Sequence, residues 1–131
     1  METLLDIGVE EYRIAGGGVL RFHPGDPNLF ARFVQAEQEI QALEQELAAQ
    51  AQEDVPVLQK LTQADAKIKA LLNKAFGGDN DFHKALGGVN LLSVGADGKT
   101  LAANLFEALE KILKQGADRF AKQQAEQLRI D

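Results

Sequence analysis

Two histidines, His23 and His83, are the side chains best suited to acid–base or metal chemistry near neutral pH. Each lies in a turn-forming stretch, and neither has a second ligand at the spacing that metal sites use. Cysteine is absent, which removes thiolate chemistry and disulfide bonds and fits a reducing cytoplasm. We therefore expect both histidines to have structural or surface roles.

The carboxylates give no sign of a general acid or base, because most of them fall on the polar faces of predicted helices. Asp65 is the exception, since it lies beside the apolar positions Leu61, Ala64 and Ile68. We favour a carboxylate on the flank of a helix, with a buried polar contact as the alternative. Ser93 has no nucleophile-elbow context. The sequence predicts a protein that is not an enzyme.

Two loops resemble ligand-binding loops but lack the residues that such loops need. Gly16-Gly17-Gly18 has neither the Lys-Ser/Thr pair of a phosphate-binding loop nor a helix behind it, so we expect a turn there. The stretch from Asp79 begins like a calcium loop, but its sixth position is Lys84 and its twelfth is Asn90. The sequence therefore predicts no metal and no other cofactor.

The overall charge argues against a nucleic-acid partner. The formal net charge is −6, whereas binding to nucleic acid requires basic residues that replace counterions on phosphate. No apolar run reaches the length of a membrane span, and the N-terminus lacks the basic and apolar regions of a signal peptide. We expect the 131 residues to form one soluble domain without membrane contacts.

The stretch from Asp26 to Gly78 predicts two helices that fold back on each other. Asp26-Pro27 supplies an N-cap and a first helical residue, and Phe76-Gly77-Gly78 supplies a C-terminal stop. Asp54-Val55-Pro56 breaks the helical pattern between them. Apolar residues recur at spacings of three and four on both sides of this break. The two stripes are Leu29, Phe33, Ala36, Ile40, Leu43 and Leu47, then Val57, Leu61, Ala64, Ile68, Leu71 and Ala75.

These matched stripes favour an antiparallel helical hairpin, with an intermolecular coiled coil as the alternative. No basic residue lies between Arg32 and Lys60, so the far end of the hairpin should be acidic. We interpret that end as a solvated face, with a docking patch for a basic partner as the alternative. Aspartate in place of Leu43 or Ile68 should cost several kcal/mol by burying an unpaired charge.

Smaller elements flank the helical hairpin. Alternation around the glycine triplet predicts a β-hairpin in residues 1–25, with a third short strand as an option. Residues 79–98 predict one short helix and an apolar connector. Residues 99–131 predict a long helix that Thr100 caps and that Gly116 weakens or kinks. With the helical hairpin at residues 26–78, the predicted fold is mainly α, and residues 1–131 form a single domain.

The aromatic residues are spread over several helix faces. We expect most of them to form one hydrophobic core, with a groove for an amphipathic helix of a partner as the functional alternative. The candidate partner-binding residues are Phe30, Phe76, Phe82, Leu86 and Phe106.

Several short motifs, taken in order, resemble a known family. The chain is similar to the tail assembly chaperones of long-tailed phages and prophages of Gram-positive bacteria, and the resemblance covers most of its length. Departures from the family pattern are His23 in place of Asn and Leu86-Gly87 in place of Phe-Gly. The motifs are Phe22-His23-Pro24-Gly25-Asp26-Pro27-Asn28-Leu29, Ala64-Asp65, Phe76-Gly77, Gly87-Gly88-Val89-Asn90 and Asn104-Leu105-Phe106-Glu107-Ala108-Leu109.

The resemblance implies a non-catalytic chaperone that binds the long, helical tape measure protein before the tail tube polymerises around it. It also implies a homo-oligomer in the cytoplasm of the bacterial host that is absent from the mature virion. The alternatives are a minor structural tail or connector subunit that stays in the virion, and a generic helical oligomeric adaptor.

Overall fold

The computed structural model describes residues 2–50 and 57–128, and it is mainly helical with a small β-hairpin at the N-terminus. This confirms the fold class predicted from the sequence. The predicted break at Asp54-Val55-Pro56 lies outside the described residues. The elements in chain order are β1 (Glu10–Arg13), β2 (Val19–Phe22), α1 (Pro27–Gln50), α2 (Val57–Phe76), α3 (Phe82–Ala85) and α4 (Leu101–Leu128).

Helices α1 and α2 pack against each other in opposite directions. Near the start of α1 the Arg32 Nε donates to the Ala75 carbonyl oxygen at 2.7 Å, close to the end of α2. Farther along α1, Leu47 shares a surface pocket with Ala64 of α2. The hairpin, and not the intermolecular coiled coil, therefore pairs the two apolar stripes. The buried members of these stripes are Leu29, Phe33, Ala36, Ile40, Ala64, Ile68 and Ala75, and Leu72 beside the second stripe is buried as well.

The capping residues expected from the sequence are in place. The Asp26 carboxylate accepts a hydrogen bond of 2.9 Å from an amide in the first turn of α1. The Thr100 hydroxyl does the same for α4 at 3.1 Å. Helix α2 stops at Gly77 and Gly78, whose φ angles of +66° and +62° are left-handed values that glycine adopts without steric cost.

The two strands form an antiparallel hairpin in which Tyr12 lies opposite Leu20. One face of this sheet packs on the helices, and the Tyr12 ring stacks on Phe22 with centroids 4.5 Å apart. The predicted glycine turn is confirmed. A Cβ on Gly17 would lie 2.1 Å from the Ala85 carbonyl oxygen, so α3 can approach the turn only because this residue has no side chain. No third strand joins the sheet among the described residues.

Helix α4 packs across the first half of α1. Phe106 lies near Phe33, with ring centroids 5.9 Å apart, and Gly116 contacts Pro24 just before α1 begins. A Cβ at position 116 would lie 2.1 Å from the Pro24 carbonyl oxygen. The helix continues without a break through this glycine, so the residue serves a close contact between backbones and does not interrupt α4.

One hydrophobic core joins the β-hairpin, the helices and the connector that follows α3. The connector contributes Leu91, which is fully buried. It is not a strand, and its extended part is limited to an isolated bridge between Val94 and Thr100. None of the helices described is both long enough and apolar enough to cross a membrane.

Candidate functional site

The five candidate partner-binding residues do not share one exposed surface. Phe76 and Phe82 are 6% and 0% exposed, because their rings, 5.2 Å apart, fill the core between α2 and α3. Phe30, Leu86 and Phe106 are half-buried at the edge of that core. A partner that binds this conformation can therefore contact the last three residues only, and their role in binding stays a prediction.

Asp65 and Lys69 form a buried ion pair on the side of α2 that faces the connector, which we call the inner face. The Asp65 Oδ2 lies 2.8 Å from the Lys69 Nζ, and the two residues are 7% and 3% exposed. Their spacing of four residues places them on successive turns of the helix. The favoured interpretation of Asp65 as an exposed flank carboxylate is wrong, because the connector after α3 closes over this face of α2.

The connector also satisfies the remaining polar atoms of the pair. The Lys69 Nζ donates to the Val89 carbonyl oxygen at 2.7 Å and contacts the His83 Nδ1 at 2.9 Å. The Asp65 Oδ1 accepts from the Leu91 amide at 2.7 Å. We call these five residues the inner polar cluster. Together they hold the connector against α2.

The contact with Lys69 gives the His83 ring a hydrogen-bonding role. An ammonium group carries three protons and no acceptor, so the contact with Lys69 requires that the His83 Nδ1 accept a hydrogen bond. The predicted structural role of His83 has a definite form here, since its ring provides one of the three acceptors around the Lys69 ammonium.

The inner polar cluster offers no open position to a ligand. The polar atoms at its centre are hydrogen-bonded, and within the described residues no buried side-chain nitrogen or oxygen lacks a partner. The same part of the chain contains no group of three or more side chains arranged to hold a metal ion. The cluster orders the chain by holding the connector against α2.

His23 organises a turn. Its Nδ1 accepts a hydrogen bond of 3.2 Å from the Gly25 amide. The ring also lies against Gly8, where an added Cβ would be 3.1 Å away. A surface pocket of about 240 Å³ opens beside it, lined in part by Arg119 and Phe120. Arg119 is the one cationic side chain in this lining, so the pocket shows no built anion site.

The opposite side of the hairpin, its outer face, carries an open groove between α1 and α2. The groove has a volume of about 520 Å³. Its floor is apolar and consists of Ala42 and Leu43 from α1 with Ala70 and Leu71 from α2. Both leucines are half-buried, so part of each side chain remains available to a further molecule. We call this feature the α1–α2 groove.

The two walls of the groove carry opposite charge. Glu39 and Glu46 line the α1 wall, and Lys67 and Lys74 line the α2 wall. All four side chains are exposed, and none forms an ion pair with another described residue. The expected acidic surface is therefore present on α1, but lysines from the second half of α2 accompany it along the groove.

The walls of this groove are not among the features predicted from the sequence. A signal was available, because each wall repeats its charge at a spacing of seven residues beside an apolar residue of the stripe. Lys69 was missed as well, although its separation of four residues from Asp65 is the spacing of a helical ion pair.

No protein-family model matches the chain, and neither the curated proteins nor the solved structures include a match. Function therefore has to be inferred from the surfaces of the molecule and from its short motifs.

Proposed function

We propose that this protein is a non-catalytic tail assembly chaperone that binds an amphipathic helix of a phage tape measure protein in the α1–α2 groove. The single observation that carries the proposal is the groove, an apolar floor that two adjacent helices leave exposed between walls of opposite charge. The resemblance of the short motifs to phage tail assembly chaperones supplies the class of partner.

The position of the groove between two packed helices suits a third helix. Two packed helices present a furrow into which a third can settle at an axial distance of about 8–10 Å. Leu43 and Leu71 offer apolar contacts that a stripe of leucine-like residues would cover. Residues seven apart on a helix are separated by about 10 Å along its axis, so each wall matches a partner helix that repeats its charges at the same interval.

The charges of the walls specify the partner helix further. A bound helix would carry basic residues along the edge that faces Glu39 and Glu46, and acidic residues along the edge that faces Lys67 and Lys74. Complementary charges at a rim improve specificity and the rate of association more than they improve affinity. A long helical protein whose apolar stripe is exposed before assembly has the chemistry that this groove would cover. The proposal includes a homo-oligomer in the host cytoplasm that leaves before the virion is complete.

Binding can be tested with the tape measure protein encoded by the same phage or prophage. We expect fragments of its helical region to bind the wild-type chain in isothermal titration calorimetry. Glutamate in place of both Leu43 and Leu71 should abolish binding while leaving the circular dichroism spectrum unchanged. Leu58→Glu is the matched control, because Leu58 is 80% exposed on α2 and lies outside the groove.

The alternatives predict other results. A minor structural tail or connector subunit should appear at a defined stoichiometry in the mass spectrum of purified virions, whereas a chaperone should be absent from them. A generic helical adaptor should show no affinity for any tape measure fragment. Either result would overturn the proposed function.

A further inference from the structure

The β-hairpin has one covered edge and one open edge. Along the edge of β2 that points away from β1, the Arg21 amide donates to the Asn80 side chain at 2.8 Å, and the Arg21 carbonyl accepts from that side chain at 2.7 Å. The Gly18 amide donates to the Ala85 carbonyl at 2.8 Å on the same side. The region from α2 to α3 therefore occupies the place of a neighbouring strand along β2.

The strand register shows which groups of β1 face the open edge. Glu11 lies opposite Arg21, whose amide and carbonyl point away from β1 toward Asn80. The two residues therefore form a non-hydrogen-bonded pair, and Glu11 directs its own amide and carbonyl away from β2. Arg13, two residues on, faces the same way. No described residue forms a hydrogen bond with these four backbone groups.

An open strand edge of this kind is a template for another strand. A two-stranded sheet is only marginally stable by itself, so additional strands would stabilise it. The two residues whose backbone groups face the open edge carry opposite charges, and both side chains are exposed. Glu11 already forms an ion pair of 2.9 Å with Arg21 of β2, and its carboxylate can accept from a second guanidinium as well. The apolar residues just before β1 are exposed too, with Ile7 at 64% and Val9 at 45%.

We propose that two copies of this chain associate by antiparallel pairing of their β1 strands, with Glu11 opposite Arg13 of the second copy. The result is a continuous four-stranded sheet in the order β2, β1, β1, β2, with a twofold axis at its centre. The association rests on the open strand edge and does not depend on the proposed function.

Charge selects this register. Outward-facing residues must pair with outward-facing residues, so Glu11 can face either Glu11 or Arg13 of the second copy. Like charges directly opposite each other are destabilising, and opposite charges are favourable. Pairing Glu11 with Arg13 creates two favourable pairs by symmetry, whereas both Glu11 with Glu11 and Arg13 with Arg13 are repulsive.

The same register also buries apolar side chains that are partly exposed in the single chain. Tyr12 then lies opposite Tyr12 of the second copy at the twofold axis, on the face where its ring already stacks on Phe22. Val9 lies opposite Ala15 of the second copy. Aromatic pairs and apolar pairs across strands both stabilise a sheet.

Sedimentation equilibrium of the full chain over a wide concentration range tests the pairing. We expect the wild-type protein to form a dimer as its concentration rises. Arg13→Glu places two like-charge pairs across the twofold axis and should weaken the dimer by at least about tenfold. The charge-swapped triple variant Glu11→Arg/Arg13→Glu/Arg21→Glu keeps an ion pair within the hairpin and should restore the dimer. Lys122→Glu is the control, because it makes the same charge change at an exposed position of α4.

Hydrogen exchange gives a second readout that needs no variant. The amides of Glu11 and Arg13 should exchange slowly at concentrations where the dimer forms and rapidly after dilution. Circular dichroism melts should show that Arg13→Glu remains folded. A wild-type chain that stays monomeric at every concentration would overturn the inference. So would an Arg13→Glu dimer as strong as the wild type, a triple variant that stays monomeric, or exchange rates that do not change with concentration.

Discussion

Lys67 and Lys69 lie two residues apart on α2, and they show how differently the two faces of the helical hairpin are used. Lys69 is 3% exposed on the inner face, where its ammonium meets Asp65, His83 and the connector. Lys67 is exposed on the outer face and forms no ion pair with another described residue. The same side chain helps to order the fold on one face and remains available to a partner on the other.

The energetic consequences of the two faces differ for the same reason. A buried ion pair contributes little net stability, but removing one partner leaves an uncompensated charge in a medium of low dielectric constant. An exposed charge contributes almost nothing to stability, because water and salt screen it. Substitutions on the inner face should therefore change folding, and those on the outer face should change binding.

Aspartate substitutions in the two apolar stripes should give the largest contrast. Ile68 is 1% exposed in the core, so we expect Ile68→Asp to lower the free energy of unfolding by about 4 kcal/mol or more. Leu43 is half-buried in the α1–α2 groove, where a new carboxylate can reach water, and we expect a loss of about 1 kcal/mol. Urea denaturation followed by circular dichroism measures both. The sequence alone predicted similar losses of stability for the two variants, and the structure predicts unequal ones. Equal measured losses would mean that another molecule covers the outer face.

Methionine in place of the two lysines tests the polar part of the comparison. Lys69→Met leaves the Asp65 carboxylate buried without its counterion, and we expect a loss of about 3–5 kcal/mol in the free energy of unfolding. Lys67→Met should stay within about 0.5 kcal/mol of the wild type. Chemical denaturation of the two variants under identical conditions is the measurement. A small effect of Lys69→Met would show that the inner polar cluster is hydrated.

Gly116→Ala tests how tightly α4 closes the covered side of the molecule. Alanine favours a helix interior over glycine by about 1 kcal/mol, so an uncrowded site would gain stability. Here the new Cβ would meet the backbone of Pro24 and Gly25 at 2.1 and 2.9 Å, and we expect a net loss of about 1–3 kcal/mol. Thermal melts compare it with Gln115→Ala at the adjacent, exposed position. A higher melting temperature for Gly116→Ala would contradict the close contact.

Glu37 provides the smallest and most specific test, at the border where α4 packs on α1. Burial raises the pKa of Glu37 above its ordinary value of 4.5, the charge of Glu110 adds to the effect, and that of Lys114 opposes it. A raised pKa in the folded state means that the ionised carboxylate is less favourable there than in the unfolded chain. Stability should therefore fall as the pH rises through 4.5 and the folded-state pKa.

Glu37→Gln removes that cost. The variant should be more stable at neutral pH by no more than about 0.5 kcal/mol, because solvent screens this partly exposed group. The gain should vanish at a pH well below 4.5, where both states of the wild type bind the proton. Thermal melts of the wild type and of Glu37→Gln, at neutral pH and at a pH well below 4.5, measure this gain. A gain that is independent of pH would point to a cause other than ionisation.

Much of the fold could be predicted because its signals are local. The Asp26 and Thr100 caps act within three residues of the chain, and the apolar stripes repeat every three or four residues. The glycine turn before β2 follows from backbone sterics alone. Periodicity cannot show which side of a helix a distant segment will cover, so Asp65 was placed on an exposed flank.

The face of the hairpin that carries the groove, and the strand edge that is covered, could not be predicted from the sequence. Both depend on contacts between distant segments of the chain. Asn80 substitutes for a strand neighbour of Arg21 across a separation of 59 residues. The α1–α2 groove exists because α4 and the connector pack on the other side of the hairpin. The charge repeats of the groove walls are local, but the open face of the hairpin and the covered strand edge arise from contacts that are distant along the chain.

The order and type of the helices, their capping residues and their two apolar stripes follow from the amino-acid sequence, because these properties depend on neighbours one to four residues away. The tertiary structure decides which charged side chains are buried and which stay exposed. Asp65 meets Leu91 across 26 residues, and burial of the inner face is complete only when that contact forms. The outer face stays open because no described segment of the chain packs there.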